Sequence, residues 1–363
     1  MKATQQLHDL GQSLWLDNIT HELLSSGTLG RYIDELSVTG LTSNPTIFEH
    51  AIKEADFYDD AIRQKGLAGK SGEALFFELA LEDLTQAADF FRPAHDATDG
   101  VDGWVSLEVS PLLVDDTAAT IKAATQLHRY AQRPNLFIKI PGMRAGIAAI
   151  EETIFAGVPV NVTLLFSREH YLASAEAYMR GIERRIAAGL DPRVACVASL
   201  FISRWDVAVK DKVPEVLRNR LGIAIAKCTY KAYCDLLASK RWQKLAGAGA
   251  RPQRLLWAST GTKDPEASDT LYLEALAAPG TINTVPERTL LAFADHGNVR
   301  GEMPTDGGDA EALLVEFAQA GVDNTALAAD LQREGTVAFV KSWRDLLDRI
   351  ATKTDVLRKT IQT

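Results

Sequence analysis

One lysine stands near the end of an apolar run that is typical of a buried strand. The run reads N-L-F-I-K-I-P-G from Asn135 to Gly142, and Lys139 is its only charged residue. A desolvated amine can attack a carbonyl carbon, whereas a lysine whose ammonium reaches solvent is a common feature of strand ends. The run alone favours the second interpretation, so the assignment depends on the polar residues of the other strands.

Six predicted strands in succession carry polar side chains at or near their C-terminal ends. In chain order these are Asp17; Thr42 and Asn44; Glu108; Lys139; Asn161 and Thr163; and Ser199. The two residues of each pair are two positions apart, so they share one face of their strand. Burying such groups on several strands without a common purpose is improbable. The pattern therefore predicts one shared site.

Amine catalysis on a ketone is the chemistry that fits these residue types. A neutral Lys139 would attack the carbonyl carbon and form an iminium, which withdraws electrons from the adjacent carbon–carbon bond. Asp17 and Glu108 are the carboxylates available to move protons. These acids favour the charged amine, whereas burial favours the neutral one. The structural alternatives are ion pairs for the two acids and an Asn-Pro turn for Asn44.

The elements that would position these groups alternate between strand and helix patterns. Two more short runs, Arg254–Thr260 and Thr281–Pro286, bring the predicted strands to eight, and most of them precede a helical pattern. The chain lacks the G-x-G-x-x-G turn that marks a dinucleotide-binding sheet. We therefore predict an α/β fold, a (β/α)8 TIM barrel with additional N-terminal and C-terminal helices. In such a barrel the site lies at the C-terminal ends of the strands.

We expect a single domain over residues 1–363. It would consist of an N-terminal helix over 1–12, the barrel over 13–300 and C-terminal helices packed on the barrel over 301–363. Helical patterns are predicted from Ile47 to Lys65, from Ser71 to Phe91 and from Glu215 to Leu237. The Asp- and Gly-rich stretch from Pro93 to Gly103 is predicted to be a loop with a tight turn.

The composition is that of a globular metabolic enzyme. Of 363 residues, 46% are hydrophobic and 24% charged, and the net charge is −9 with scattered basic residues. This balance argues against nucleic acid or a membrane surface as the main partner. The three cysteines, Cys196, Cys228 and Cys234, lack C-x-x-C spacing, which argues against a zinc site or a disulfide framework. Without an apolar run of membrane-spanning length or a leader pattern, we expect a cytoplasmic protein.

Five motifs, taken in order, resemble those of the transaldolase family, specifically its longer single-domain bacterial type. They are G-L-T-S-N-P-T at Gly40–Thr46, V-S-L-E-V-S at Val105–Ser110, I-K-I-P-G-M-R-A-G-I at Ile138–Ile147, V-N-V-T-L-L-F-S at Val160–Ser167, and A-S-L-F-I-S-R at Ala198–Arg204. The resemblance covers about Leu14 to His296. It implies a Schiff-base barrel enzyme that needs no metal or organic cofactor.

The resemblance also implies an activity and a role for each matched residue. Such enzymes transfer a dihydroxyacetone unit from sedoheptulose 7-phosphate to glyceraldehyde 3-phosphate, giving erythrose 4-phosphate and fructose 6-phosphate in the pentose phosphate pathway. By similarity, Lys139 is the nucleophile and Asp17 the acid/base of carbon–carbon cleavage. Glu108 and Thr163 would position a water that relays protons. The remaining strand-end residues would bind substrate: Thr42, Asn44 and Asn161.

The substrate phosphate requires cations. Arg204 and Ser199 occupy the family's phosphate positions, although a surface ion pair with Asp206 is the plainer interpretation of Arg204. After the seventh strand, shorter relatives carry Ser-x-Arg, whereas this chain reads S-T-G-T-K from Ser259 to Lys263. Ser259 and Lys263 are therefore the candidates for the rest of the phosphate site.

Two alternatives remain beside the transferase. A fructose 6-phosphate aldolase, which releases free dihydroxyacetone, tends to carry Gln at the Glu108 position and Tyr at the Phe201 position, so both residues favour the transferase. A non-catalytic phosphosugar-binding barrel would be expected to have lost the lysine and its acids. Sugar phosphates are the expected partners in either enzyme, and a monomer and a homodimer are both compatible with the sequence.

Overall fold

The computed structural model describes residues 1–54 and 56–359. In this part of the chain, eight parallel strands close into one barrel in sequence order, and the last strand pairs with the first. The strands are β1 (Ser13–Leu16), β2 (Val38–Thr42), β3 (Trp104–Glu108), β4 (Leu136–Pro141), β5 (Val160–Leu165), β6 (Cys196–Phe201), β7 (Gln253–Ala258) and β8 (Ile282–Val285). The predicted (β/α)8 barrel is confirmed.

The strands are buried on both faces, which explains their short, nearly continuous apolar sequences. Every residue of β3 to β8 is buried. A polar group inside such a run is costly unless it has hydrogen-bond partners, as Asn161 has in Ser199 and Ser106. Polar side chains that are free to meet a ligand are therefore expected at the strand ends, at the mouth of the barrel.

The helices surround the barrel and continue beyond it. They are α1 (Ala3–Asp9), α2 (His21–Ser25), α3 (Thr28–Leu36), α4 (Pro45–Glu54), α5 (Asp59–Leu67), α6 (Gly72–Ala97), α7 (Thr117–Ala131), α8 (Arg144–Phe155), α9 (Arg168–Ala187), α10 (Ser203–Val209), α11 (Leu221–Ala238), α12 (Lys240–Gly247), α13 (Leu271–Ala275), α14 (Glu287–His296), α15 (Ala310–Gln319) and α16 (Asn324–Lys359).

Three helix predictions were wrong in their bounds. The helix predicted from Ile47 to Lys65 consists of α4, a short 3₁₀ turn and α5. The loop predicted from Pro93 begins later, because α6 continues through Pro93 to Ala97. The helix predicted from Glu215 is a 3₁₀ turn followed by α11, since Asn219 takes a left-handed backbone angle, φ 60°, that interrupts a right-handed helix.

Helix α16 returns to the barrel after the last strand. It packs against α4, α5, α6 and β5. Its polar contacts recur along one face: Gln332 Nε2 donates to the Leu164 carbonyl at 2.9 Å, and the Ser342 hydroxyl accepts from Thr46 at 3.0 Å. Trp343 Nε1, one residue further, donates to Glu73 at 2.8 Å. These contacts fix α16 beside the ends of the strands.

Two strand ends adopt a backbone conformation that side-chain-bearing residues rarely take. Leu164 and Ser259 have φ angles of 59° and 56°. The pairing of β5 with β6 shifts between Val162 and Leu165, so the chain bulges just where β5 reaches the mouth. Such conformations cost about 1–3 kcal/mol each and collect at functional sites. The hydrogen bond from Gln332 of α16 holds the bulge at Leu164.

Candidate active site

The C-terminal ends of the strands enclose a cavity of about 380 Å³, within the range of roughly 300–1,000 Å³ common for small-molecule sites. The predicted site residues that line it are Asp17, Thr42, Asn44, Lys139, Thr163, Ser199, Phe201, Arg204, Ser259 and Lys263. Glu108 and Asn161 lie in the barrel wall, paired in register with Lys139 from either side. The structure thus brings all of the predicted residues to one place.

Lys139 lies between Glu108 and Asn161 on neighbouring strands, and its side chain lines the cavity. Its amine lies 3.3 Å from Oε2 of Glu108 and donates to the Ser43 carbonyl at 3.2 Å. The ring of Phe339, from α16, has its centre 5.6 Å from the amine. Only 6% of the Lys139 surface is exposed. The ammonium does not reach out to solvent, so the strand-end interpretation of this lysine was wrong.

Asp17 follows β1 and faces the same cavity. Its Oδ1 accepts a hydrogen bond of 2.9 Å from Thr42, whose hydroxyl also meets that of Thr284 at 2.7 Å. Desolvation raises the pKa of the Asp17 carboxyl, and the charge of Lys139 opposes that shift. A carboxyl with a raised pKa can hold a proton closer to neutral pH and return it to substrate, as an acid/base must.

Glu108 is the second acid, and it is almost fully buried. Burial raises the pKa of its carboxyl; Lys139 lowers it, and the charge of Asp17 raises it further. Oε1 of Glu108 and Oγ1 of Thr163 have no hydrogen-bond partner among the described residues. Buried polar atoms of this kind are costly unless a ligand or water satisfies them. Both atoms are therefore suited to hold a water that exchanges protons with the substrate.

The two predicted asparagines differ in their surroundings. Asn44 precedes α4, and its Oδ1 accepts a hydrogen bond of 3.1 Å from the Ile47 backbone N–H, so it caps the helix. It also lines the cavity. Asn161 lies in the barrel wall beside Lys139, where its Oδ1 accepts a hydrogen bond from Ser199 at 2.7 Å and its Nδ2 donates to Ser106 at 3.1 Å. Its role in holding a substrate hydroxyl stays a prediction.

Cations gather on another side of the cavity. The Arg204 guanidinium lies over the Phe201 ring, 5.1 Å from its centre. Burial lowers the pKa of Lys263, and the charges of Arg288 and Arg204 act in the same direction. Within residues 1–54 and 56–359, neither Arg204 nor Lys263 forms an ion pair. Cations beside a cavity are suited to bind a phosphate. Arg288, which had not been predicted as a site residue, lies near Lys263 but lines a neighbouring cavity.

Ser259 lies in a strained turn after β7 and lines the cavity together with Arg204 and Lys263. Its hydroxyl lies 2.9 Å from that of Ser203, the first residue of α10, so β7 and α10 meet at this point. Both Ser199 and Ser259 line the cavity beside Arg204. Serine hydroxyls and a guanidinium are a common combination for phosphate oxygens.

The alternative ion pair between Arg204 and Asp206 is wrong. Asp206 is turned away and buried, and it accepts hydrogen bonds from the Leu221 N–H at 2.9 Å, the Gly222 N–H at 3.3 Å and the Tyr272 hydroxyl at 2.8 Å. Asp206 thus fixes the start of α11. Burial raises the pKa of its carboxyl to about 6, against the effect of these three donors.

This carboxyl should make stability depend on pH. Because its folded pKa lies above its unfolded value, the contribution of Asp206 is present at low pH and is lost as pH rises through about 6. Relative to the Asp206→Asn variant, the native chain should gain about 1 kcal/mol between about pH 7 and about pH 5. Urea unfolding of both proteins across this range measures the difference. A constant difference would contradict the expected titration.

Several residues of the site had not been predicted. The most informative are Thr284 at the end of β8 and Phe339 on α16, which both line the cavity. Thr284 belongs to a predicted strand and is a polar residue near its C-terminal end, the same signal that identified the other strand-end residues. Phe339 gave no comparable signal, because an apolar residue in a helix usually faces the core.

Two further observations bear on ligands and location. Among the described residues, no group of three or more His, Cys, Asp or Glu side chains is arranged to hold a metal ion. The same residues include no helix with the length and apolar character needed to cross a membrane.

Comparisons with known proteins agree with this geometry. The sequence profile of the Transaldolase/Fructose-6-phosphate aldolase family matches residues 14–350. A protein named Transaldolase from Thermobifida fusca (strain YX) is 45% identical over 356 residues, 96% of this chain and 97% of that protein. Another of that name, from Parafrankia sp. (strain EAN1pec), is 45% identical over 359 residues, with 96% and 97% covered. A third, from Arthrobacter sp. (strain FB24), is 43% identical over 353 residues, 95% of each chain.

These matches extend well beyond the five motifs, across both the barrel and the helices that follow it. The predicted resemblance is confirmed, and the chain belongs to the Transaldolase/Fructose-6-phosphate aldolase family.

Proposed function

We propose that this chain is a transaldolase that forms a Schiff base through Lys139. It would move a dihydroxyacetone unit from sedoheptulose 7-phosphate to glyceraldehyde 3-phosphate, giving erythrose 4-phosphate and fructose 6-phosphate. One observation carries the proposal: a single cavity joins a buried lysine, near two acids whose pKa values are raised, to two cations that form no ion pair with any described residue. A ketose phosphate has a carbonyl group that the lysine would attack and a phosphate group that the cations would bind.

The first step is attack by the Lys139 amine on the C2 carbonyl of the donor. The nitrogen loses a proton as the carbinolamine forms, and the carbinolamine hydroxyl gains one and leaves as water. Glu108 lies 3.3 Å from the amine and is placed to exchange these protons. The Thr163 hydroxyl, which has no hydrogen-bond partner in the described part of the chain, would hold the water through which they pass. The product is an iminium on Lys139.

The second step breaks the bond between C3 and C4 of the donor. Asp17 takes the proton of the C4 hydroxyl, the bond breaks, and its electron pair moves into the iminium to give an enamine. The aldose leaves, and the three-carbon unit stays on Lys139. Addition of the acceptor aldehyde reverses these movements, with Asp17 returning the proton. Hydrolysis then releases the new ketose and the free amine.

The cations would hold the phosphate of each sugar. Arg204 and Lys263 line the cavity along with Lys139, so a phosphate bound there leaves the carbonyl end directed to the amine. Binding energy at the phosphate also restrains the reacting atoms, which lowers the barrier for attack. We also propose that the enzyme is cytoplasmic, consistent with the phosphorylated substrates, and that residues 1–363 form a single domain.

A lyase of the same family is the second candidate. It would use the same Schiff base but release free dihydroxyacetone. Glu108 and Phe201 favour the transferase, because the aldolases tend to carry Gln and Tyr at these positions. The relatives reported above bear the name Transaldolase, which supports the same choice. An intact set of Lys139 and two acids argues against a non-catalytic barrel.

An acceptor requirement separates the two enzymes. With fructose 6-phosphate and erythrose 4-phosphate together, we expect continuous formation of sedoheptulose 7-phosphate and glyceraldehyde 3-phosphate. With fructose 6-phosphate alone, donor cleavage should stop after about one equivalent per site, because the enamine has no aldehyde to accept it. A coupled assay for glyceraldehyde 3-phosphate measures both conditions. Rapid, sustained cleavage without acceptor would instead identify a lyase.

A further inference from the structure

Helix α16 contains a glycine that packs closely against Arg204, one of the cations of the cavity. Gly335 is buried in the interior of this 36-residue helix. A Cβ added there would lie 3.1 Å from Nη1 of Arg204 and 3.0 Å from Cδ2 of Leu164. The approach leaves no room for even a methyl group unless a neighbour moves by a few tenths of an ångström.

Glycine is otherwise a poor choice at this point in the chain. In the interior of a helix it costs about 1 kcal/mol relative to alanine. Gly335 does not have the left-handed backbone angle that would require glycine. Close packing against Arg204 and Leu164 is the physical reason that remains. The glycine thus makes α16 less stable at the point where the helix contacts Arg204, a candidate substrate-binding residue.

Two neighbours approach the Arg204 guanidinium closely. Its carbon lies 5.1 Å from the centre of the Phe201 ring, and its Nη1 lies 3.1 Å from the position that a Cβ of residue 335 would occupy. The charge of Glu334, also on α16, acts on the Arg204 side chain. No ion pair holds the guanidinium within residues 1–54 and 56–359, so its close packing with Phe201 and Gly335 helps to set where its donors point. Phosphate recognition depends on those directions.

We propose that Gly335 is a positioning residue for phosphate recognition, because the absence of its side chain lets α16 hold Arg204 against Phe201. The inference rests on the proposed function insofar as Arg204 binds the substrate phosphate. A side chain at 335 would displace the guanidinium while leaving the Lys139 chemistry intact. Both neighbours are the ends of flexible side chains, so the fold tolerates a methyl group while the geometry of binding changes.

Graded substitution tests this inference. In Gly335→Ala we expect the KM for fructose 6-phosphate to rise about 5-fold, and in Gly335→Leu at least about 30-fold, with kcat within about 2-fold. Calorimetric titration with inorganic phosphate should show affinity falling in the same order. The control is Gly30→Ala in α3, a helix glycine with no atom within 4 Å of the added Cβ. This variant should match the native chain in both measurements.

The outcomes separate this inference from the proposed function. Unchanged phosphate affinity and KM in Gly335→Ala would overturn the positioning role, whatever the reaction is. If the native chain forms no borohydride-trapped adduct, the proposed function fails, and phosphate titration still tests Gly335. A fall in kcat without a change in KM would also contradict the inference, since it would place the defect at Lys139. If Gly335→Leu does not fold, the alanine variant carries the test.

Discussion

Replacing Lys139 with methionine should abolish both turnover and covalent capture of the donor. Methionine has a similar length and fits the buried position, but it has no amine to form an iminium. We expect activity to fall at least about 1,000-fold. The direct measurement is intact-protein mass after borohydride reduction with fructose 6-phosphate. The native chain should gain the mass of one reduced three-carbon unit, and Lys139→Met should gain none.

The matched control for this experiment is the other lysine of the cavity. Lys263 lies near Asp17 and Arg204, but it follows β7 in an exposed loop, whereas Lys139 is buried in a strand and paired in register with Glu108. Lys263→Met should therefore keep the trapped adduct and lose donor affinity instead. An adduct that persists in Lys139→Met, or that peptide mapping places on another lysine, would contradict the proposed nucleophile.

Replacing Asp17 with asparagine should separate capture of the donor from its cleavage. The amide oxygen of the Asp17→Asn variant would still accept the hydrogen bond from Thr42, so the cavity should keep its shape, but an amide cannot take the proton of the C4 hydroxyl. Release of glyceraldehyde 3-phosphate from fructose 6-phosphate should slow by about 100- to 10,000-fold. Borohydride should then trap the intact six-carbon sugar phosphate on Lys139. Mass analysis distinguishes this adduct from the three-carbon one.

Glu108→Gln provides the comparison for Asp17→Asn. Glu108 lies 3.3 Å from the amine, so its loss should slow formation of the iminium and reduce the yield of every adduct. The two acids would then act at different steps. If Asp17→Asn cleaves the donor at the native rate, or if both variants accumulate the same adduct at the same rate, the division of roles is wrong.

Much of the site follows from the order of the strands. In a barrel whose strands pair in sequence order, β4 must lie between β3 and β5, so Glu108 and Asn161 are placed on either side of Lys139. The same rule brings Asp17 and Thr42 together across neighbouring strands. Each of these groups was predicted from a polar residue at the end of an apolar run. Strand pairing in the closed barrel brings together residues that are far apart in the sequence.

The contribution of α16 could not be predicted in the same way. Its sequence repeats apolar residues at helical spacing, which predicts a buried face but not the surface that this face covers. Phe339 and Gly335 acquire their significance only because the helix crosses the strand ends. The strained turns at Leu164 and Ser259 were equally hidden, since neither residue is a glycine and tertiary contacts hold them in place.

The return of α16 also has a consequence for how the protein is made. All eight strands precede this helix, so the barrel segments leave the ribosome before the chain that supplies Phe339 and Gln332. A nascent barrel would expose Lys139 without the ring that lies over it, and the bulge at Leu164 would lack its hydrogen bond from Gln332. Completion of the site is thus tied to a segment that is synthesised after all eight strands, and competence for catalysis should lag behind formation of the barrel.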